Sequence, residues 1–159
     1  MNDNATLIDA CKYLYLRVLE EPEDNALRLV IEEVNVGELA EVRAPDDESV
    51  TPLRGGGTRT IEHGPGCRVF EVSWPIYIAY SVRNESYARP ESKGNGKGRV
   101  FIKHTASSYL DYLCASTIAC DIFPAIFPRP IWHWAIGCVN HAVDVASIYE
   151  PDITVRTTA

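Results

Sequence analysis

The stretch RVFEVSWPIYIAYSVR, residues 68–83, decides the fold because residue types alternate with a period of two on both sides of a proline. In the first half, Phe70, Val72 and Trp74 fall on one face of an extended strand, and the second half continues the pattern. Proline cannot donate to the hydrogen-bond ladder of a sheet, so Pro75 predicts a corner between two antiparallel strands. An antiparallel sheet is therefore expected around this segment.

The same alternation occurs nearer the start of the chain, on either side of the turn-forming sequence EPEDN at residues 21–25. Residues 14–18 and 27–32 each place an apolar side chain at every second position, which predicts a β-hairpin. The apolar tail, residues 131–147, predicts one bent strand or two paired strands, with the bend at Asn140-His141.

Helices are predicted at two places. A short one is expected at about residues 5–13, and a second one at about residues 107–119, where Thr105 or Ser107 can cap its first turn. Residues 122–130 contain three prolines and are expected to form an apolar loop, because proline interrupts helices and central strands.

These elements do not alternate as β-α-β units, so the expected fold class is α+β, mainly an antiparallel sheet with two helices. A length of 159 residues fits one domain, residues 1–159. Clusters of glycine, proline and charged residues predict flexible loops at about 44–58 and 89–98. The three glycines at residues 55–57 lack the Gly-Lys-Ser/Thr sequence of a phosphate-binding loop.

Charge is distributed unevenly along the chain. Residues 1–50 carry 13 acidic and 4 basic side chains, whereas the remaining residues are slightly basic, and the net charge is −7. Such an acidic region repels nucleic acid and attracts basic partners. The predicted partner-binding surface comprises the acidic residues of the hairpin, namely Glu20, Glu21, Glu23, Asp24, Glu32 and Glu33.

Neither a membrane span nor a secretory signal is predicted. No stretch approaches the roughly 20 apolar residues that cross a bilayer, and the first residues lack a basic region followed by an apolar run. The five cysteines are odd in number, widely spaced and free of any Cys-x-x-Cys pair, which favours buried free thiols over bridges or ligands. Both observations predict a cytoplasmic protein.

Three potential metal ligands, His133, Cys138 and His141, lie within nine residues. On an extended strand the two histidines share a face while the cysteine points to the other, so the spacing predicts neither a zinc site nor any other cofactor. Cysteine–histidine nucleophile pairs can be drawn, but no cysteine lies in a recognisable nucleophile motif. No catalytic residue is therefore assigned.

Asp144 interrupts the apolar run AVDVA at residues 142–146. A buried carboxylate needs a partner, and Arg83 or His141 could supply one. We therefore predict that Arg83, His141 and Asp144 are structural polar residues, and that the charges of Arg83 and Asp144 are each satisfied within the fold, with a mutual pair as one way to do so. Two alternatives remain open at this point. One is a small enzyme or ligand-binding module with a pocket near His104, Cys138, His141 and Asp144; the other places a small ligand among Tyr80, Trp132 and Trp134.

Four stretches carry a resemblance to a known group of proteins: YIAYSVRNESY (77–87), SYLDYLCAST (108–117), HWAIGCVNHAVDVAS (133–147) and EPDI (150–153). Together they resemble small bacterial proteins, some of which are similar to immunity proteins of toxin–immunity systems. The resemblance implies a non-enzymatic intracellular binding protein that neutralises a toxin by occluding it. With the acidic hairpin, the expected partner is a basic protein toxin. The sequence leaves the oligomeric state open.

Overall fold

The computed structural model describes residues 3–39, 59–62 and 64–158. The predicted loop at 44–58 lies outside the described residues. The elements of the described part, in chain order, are α1 (Asp3–Ala10), β1 (Leu14–Glu20), β2 (Leu27–Glu33), β3 (Asn35–Leu39), β4 (Arg59–Glu62), β5 (Arg68–Trp74), β6 (Ala79–Asn84), a 3₁₀ turn (Glu85–Tyr87), β7 (Phe101–His104), α2 (Ser108–Ser116), α3 (Ala119–Ile126), β8 (Trp132–Gly137), β9 (His141–Ser147) and β10 (Asp152–Thr157).

The strands form two antiparallel sheets of four strands each, which confirms the α+β class. The first sheet has the order β1-β2-β5-β10 and the second has the order β6-β9-β8-β7, while β3 and β4 pair separately. The predicted hairpin is the β1–β2 pair. The main core lies between the two sheets, where Phe70, Val72 and Trp74 of β5 pack with Trp134 and Val145 of the second sheet.

The proline corner has a different role from the one expected. Because β5 and β6 belong to different sheets, Pro75 carries the chain from the first sheet to the second instead of joining two paired neighbours. The second strand also begins at Ala79, later than the alternation suggests. The predicted bend at Asn140-His141 is confirmed as the turn between the paired strands β8 and β9.

Helix α2 begins where the sequence places its cap. The Ser107 side chain accepts a hydrogen bond from the Leu110 backbone N–H, so Ser107 is the N-cap residue. The helix ends at Ser116, and both predicted helices are shorter than expected. No helix in the described ranges is long and apolar enough to cross a membrane.

The prediction of a loop at 122–130 is wrong in its first half, because α3 continues through Pro124 to Ile126. Proline lacks one backbone N–H, but a two-turn helix loses only that single hydrogen bond. The flanking bonds are present, from the Ile122 N–H to the Ile118 carbonyl and from the Phe127 N–H to the Phe123 carbonyl. Helix α3 therefore continues past Pro124 with bonded turns on both sides of it.

The cysteine prediction holds for three residues and fails for two. Cys11, Cys67 and Cys138 are free and buried, as expected. Cys114 and Cys120 instead form a disulfide, with the sulfur atoms 1.90 Å apart and the Cα atoms 5.2 Å apart. The end of α2 and the start of α3 approach closely enough for bridging geometry, and nothing in the spacing of the cysteines indicates that approach.

The Asn140 side chain joins the two sheets. Its Oδ1 accepts a hydrogen bond from the Leu16 backbone N–H, and its Nδ2 donates one to the Leu16 carbonyl, both at 3.0 Å. The adjacent Val139 N–H donates to the Leu14 carbonyl at 2.8 Å. The amide thus pairs with the β1 backbone at the point where the β1–β2 register shifts between Leu16 and Val18.

We expect Asn140→Ala to lower the free energy of unfolding by about 1–3 kcal/mol, because two part-buried backbone groups of Leu16 lose their partner. Urea denaturation measures this change. The matched control is Asn35→Ala, since Asn35 is exposed and its replacement should change stability by less than about 0.5 kcal/mol. Equal effects at both positions would contradict a bridging role for Asn140.

Candidate functional site

The outer face of the second sheet, turned away from the main core, is covered over only part of its area. Leu110 and Leu113 of α2 pack on Ala146 at one end. The remaining area forms an open groove of about 990 Å³. Its lining includes three small residues, Ala135, Gly137 and Ala142. Small side chains on the strands leave room above the sheet, which accounts for the depth of the groove.

A buried carboxylate lies at the boundary between the groove and α2. Asp144 is only 4% exposed. Its Oδ2 accepts hydrogen bonds from Arg83 Nη2 at 2.7 Å and from the Ser81 hydroxyl at 3.1 Å. The predicted Arg83–Asp144 pair is therefore confirmed. The other carboxylate oxygen, Oδ1, lies 2.9 Å from Nε2 of His133.

His133 extends this network to helix α2. Its Nδ1 lies 2.8 Å from the Ser107 hydroxyl, the same group that caps the helix. Because an ionised carboxylate only accepts hydrogen bonds, Nε2 of His133 donates to Asp144, which leaves Nδ1 free to pair with Ser107. A continuous chain of polar contacts thus runs from β6 through β9 and β8 to α2.

Burial, hydrogen bonds and neighbouring charges together shift the pKa values of Asp144 and Tyr109. Burial opposes ionisation of Asp144, but the hydrogen bond from His133, the positive charge of Arg83 and the Ser81 hydroxyl outweigh it and lower the pKa of Asp144. Burial, followed by the Asp144 charge, raises the pKa of Tyr109 to about 12. The site therefore holds an ionised aspartate beside a neutral tyrosine at neutral pH.

His104 extends the network by ring stacking. Its ring lies 5.0 Å from that of His133, and neither of its nitrogens has a hydrogen-bond partner among the described residues. Burial, followed by the proximity of His133, lowers the pKa of His104. On the other side, Gly94 and Gly96 approach so closely that a Cβ atom at either position would overlap the His104 ring.

The predicted loop at 89–98 is held against β7 by side-chain hydrogen bonds. Asn95 Oδ1 accepts from the backbone N–H groups of Thr105 and Ala106, each at 3.0 Å. Glu91 accepts from the backbone N–H and the hydroxyl of Ser108, both at 2.9 Å. These contacts place the glycines of this loop on His104 and close one side of the groove.

Ser107, His133 and Asp144 are the residue types of an acyl-transfer triad, but their arrangement does not present a nucleophile. Ser107 is 3% exposed, does not line the groove, and its hydroxyl caps α2 while it contacts His133. Cys138 does line the groove, but burial raises its pKa to about 12, so it is a thiol at neutral pH. The geometry favours a structural network over a catalytic one.

The structure brings together only three of the four residues of the alternative pocket predicted from sequence. His104, Cys138 and Asp144 line the groove, whereas His141 does not. His141 is the first residue of β9, opposite Asn84 on β6. It lies three positions before Asp144, so the two side chains point to opposite faces of the sheet. No group of three or more potential metal ligands occurs in the part of the chain that the structure describes.

The predicted acidic surface is largely paired with cations. Each of three carboxylates contacts an arginine: Glu20–Arg28 at 2.6 Å, Glu32–Arg17 at 2.8 Å and Glu33–Arg68 at 2.8 Å. Glu21 accepts a hydrogen bond from the Tyr80 hydroxyl at 2.9 Å. Glu32 and Glu33 are adjacent on β2 and so point to opposite faces of the sheet. The six residues therefore do not form one surface. Its exposed part lies at the β1–β2 turn, where Glu20, Glu21, Glu23 and Asp24 are all exposed.

Sequence reasoning missed the roles of His133 and Ser107. The position of the β8–β9 turn could have indicated the contact between His133 and Asp144. A hairpin bent at Asn140-His141 places His133 opposite Ala146, and Asp144 lies two positions from Ala146 on the same face. The helix cap at Ser107 was among the predicted alternatives, but its contact with a strand residue depends on how α2 docks.

Comparison of the chain with protein-family models, with curated proteins and with solved structures gave no match.

We expect Asp144→Ala to lower the free energy of unfolding at pH 7 by about 3–5 kcal/mol, because it leaves Arg83 and His133 without their shared acceptor. Since the pKa of Asp144 is lowered in the folded state, its contribution is present above the ordinary carboxyl pKa of 3.8 and is lost as the pH falls below it. Denaturation at several pH values should show the difference between variant and wild type shrinking below about pH 4.

The matched control is Asp152→Ala, at an exposed position of β10, which should cost less than about 1 kcal/mol at either pH. A variant at Asp144 that melts like the wild type at pH 7 would contradict the structural role.

Proposed function

We propose that this protein is a non-enzymatic binding domain that recognises another protein through the side of the molecule that carries α2 and α3. One observation carries the proposal: large apolar side chains are exposed around the groove and along α3. We call these residues the helical face: Tyr87, Tyr112, Ile118, Ile122, Ile126 and Phe127.

The helical face is organised by the spacing of its residues. Ile118, Ile122 and Ile126 recur at every fourth position, so they lie along one side of α3 and its cap. Ile118 is 68% exposed and Ile126 is 62% exposed. Tyr112 lines the groove, and α3 follows α2 directly in the chain, since α2 ends at Ser116 and α3 begins at Ala119. A row of exposed apolar side chains of this kind is typical of a protein-interaction site.

Residue types at the rim of the groove also favour protein recognition. Arg83, Arg89, Tyr109 and Tyr112 line it. Tyrosine and arginine are enriched among the residues that contribute most to protein–protein binding. A binding function agrees with the burial of Ser107 and with the protonated thiol of Cys138, neither of which is presented as a nucleophile.

We propose a basic protein as the partner, and more specifically a toxin whose active surface the helical face occludes. A net charge of −7 accelerates association with a basic protein and opposes association with nucleic acid or an anionic bilayer. Glu23 and Asp24, exposed in the β1–β2 turn, contribute to this attraction. The resemblance to immunity proteins spans residues 77–153, which include the groove and the helical face.

The proposed compartment is the cytoplasm. Free, buried thiols at Cys11, Cys67 and Cys138 agree with it, whereas the Cys114–Cys120 bridge opposes it because disulfides persist mainly in oxidising compartments. Our proposal therefore requires that Cys114 and Cys120 be reduced in the cytoplasm.

The test of the proposed contact surface uses the purified product of a toxin gene adjacent to the gene for this protein. We expect Ile122→Glu and Ile126→Glu each to weaken binding about 10-fold or more by isothermal titration calorimetry, because a carboxylate replaces an apolar contact. Both positions are exposed, so the fold should tolerate the charge.

The matched control is Leu7→Glu, which adds the same charge at an exposed apolar residue of α1. Its affinity should equal that of the wild type. If the variants of α3 bind as tightly as the wild type, the helical face is not the contact surface, and if the adjacent product does not bind at all, the immunity proposal is wrong.

The compartment is tested by trapping thiols in living cells before lysis. With a cytoplasmic location, an alkylating reagent should modify both Cys114 and Cys120, because Cys114 is exposed and the bridge is reduced. Mass spectrometry of the resulting peptides reads out the modification. A peptide that remains bridged after trapping would place the protein in an oxidising compartment.

A further inference from the structure

We propose that Cys114 and Cys120 are a redox-active pair whose thiol–disulfide exchange controls the folding of α3. The pair is bridged in the structure, and the bridge joins the last turn of α2 to the first turn of α3. Helix α3 carries Ile122 and Ile126 of the helical face. The redox state of the two cysteines therefore determines whether these side chains are held in a row.

Helix α3 is too short to be stable by itself. It has eight residues, and its cap residue Ile118 makes no side-chain hydrogen bond to the first turn. Isolated helices of fewer than about 12–15 residues are marginal in water. Pro124 removes one further backbone hydrogen bond from the helix. The helix therefore depends on contacts with the remainder of the protein.

The contacts of α3 with the remainder of the protein are few. No hydrogen bond or ion pair among the described residues joins α3 to either sheet, and a bond from the Ala119 N–H to the Thr117 hydroxyl links it only to the end of α2. Neither apolar cluster of the described residues contains a residue of α3. Phe123 packs on Phe127, with the rings 6.0 Å apart, and not on the core. The covalent bridge is therefore the main constraint on the position of α3.

The bridge lies where an external thiol can attack it. Cys114 is exposed and Cys120 is half-buried. The free cysteines are buried, and burial raises the pKa of Cys11 and of Cys138 to about 12, so both remain protonated thiols. Exchange is therefore confined to the bridged pair.

The reductant that opens the bridge is a dithiol. One of its thiolates attacks a sulfur of the bridge, the other cysteine leaves as a thiolate, and a mixed disulfide forms. The second thiolate of the reductant then attacks the mixed disulfide and releases the remaining cysteine. Two electrons pass to the protein, the two cysteine thiolates take up the two protons that the dithiol loses, and the dithiol becomes a disulfide. Glutathione disulfide reverses the reaction and is itself reduced to two glutathione molecules.

The consequence for binding rests on the proposed function. In the reduced form, a partner that contacts the helical face must order α3 as it binds, and this ordering lowers the affinity. In the bridged form α3 is ordered beforehand, which raises the affinity. The reduced protein of the cytoplasm is thus the weaker-binding form, and oxidation converts it to the stronger-binding form.

Hydrogen exchange of the full chain tests the switch without any partner. The purified protein is equilibrated with glutathione disulfide or with dithiothreitol, and alkylation followed by mass spectrometry verifies which cysteines are bridged. We expect amide exchange in residues 119–127 to be about 10-fold faster or more in the reduced form, because α3 then unfolds locally. Peptides from β2 and β5, which belong to the first sheet, should exchange alike in both forms.

A double variant, Cys114→Ser with Cys120→Ser, removes the switch. In both buffers its α3 should exchange at the rate of the reduced wild type. The matched control is Ala115→Ser, which places the same side chain at an exposed neighbouring position of α2 and leaves the cysteines intact. This control should keep the full difference between the two buffers.

Equal exchange of residues 119–127 in the bridged and reduced wild type would overturn the proposal, as would failure of glutathione disulfide to bridge the pair. Neither result involves a partner, so failure here and failure of the proposed function are distinguishable. Where the product of the adjacent toxin gene binds, titration calorimetry should give about 10-fold higher affinity for the bridged form. Equal affinities of the two forms would overturn the consequence for binding.

Discussion

The carboxylate of Asp144 is the constraint on which the second sheet and its helices depend. It lies on the covered face of β9, where an ionised group is tolerated only if it is paired and hydrogen bonded. Its partners come from two neighbouring strands, with Arg83 and Ser81 on β6 and His133 on β8. His133 in turn contacts the Ser107 hydroxyl. Because Ser107 also caps α2, this contact fixes where α2 begins above the sheet. The open groove is the part of that face which α2, positioned in this way, leaves uncovered.

The same arrangement accounts for the functional interpretation. A serine, a histidine and an aspartate in hydrogen-bonded sequence carry the elements of nucleophilic catalysis, yet here the serine is buried and engaged by the helix backbone. The buried polar groups hold the second sheet and α2 together, while exposed tyrosine, isoleucine, phenylalanine and arginine side chains lie around the groove and along α3. That distribution of residue types favours a protein-binding function over a catalytic one.

The sequence predicted those features that depend on local periodicity or on an obligatory pairing. Alternation gave the strands, the β1–β2 hairpin and the turn at Asn140, and the carboxylate within an apolar run predicted the Arg83–Asp144 pair. Features set by the docking of distant elements were not predictable: the division into two sheets, the contact of His133 with Ser107, and the approach of Cys114 to Cys120. The acidic hairpin shows the limit most clearly, since counting charges cannot reveal that Glu20, Glu32 and Glu33 each pair with an arginine. Pro124 was misjudged because the proline was taken to exclude a helix, whereas α3 continues past it with one hydrogen bond fewer.

The central claim is that the contact between Ser107 and His133 holds α2 on the second sheet. Its most direct test is amide hydrogen exchange in Ser107→Gly, because glycine at a helix N-cap costs only a few tenths of a kcal/mol by itself, so a larger effect reports the lost contact with His133. Mass spectrometry should then find faster exchange in residues 108–126, with β5 and β2 as protected as in the wild type. Unchanged protection of α2 and α3 in this variant would contradict the claim, since the helices would then be held without the contact between Ser107 and His133.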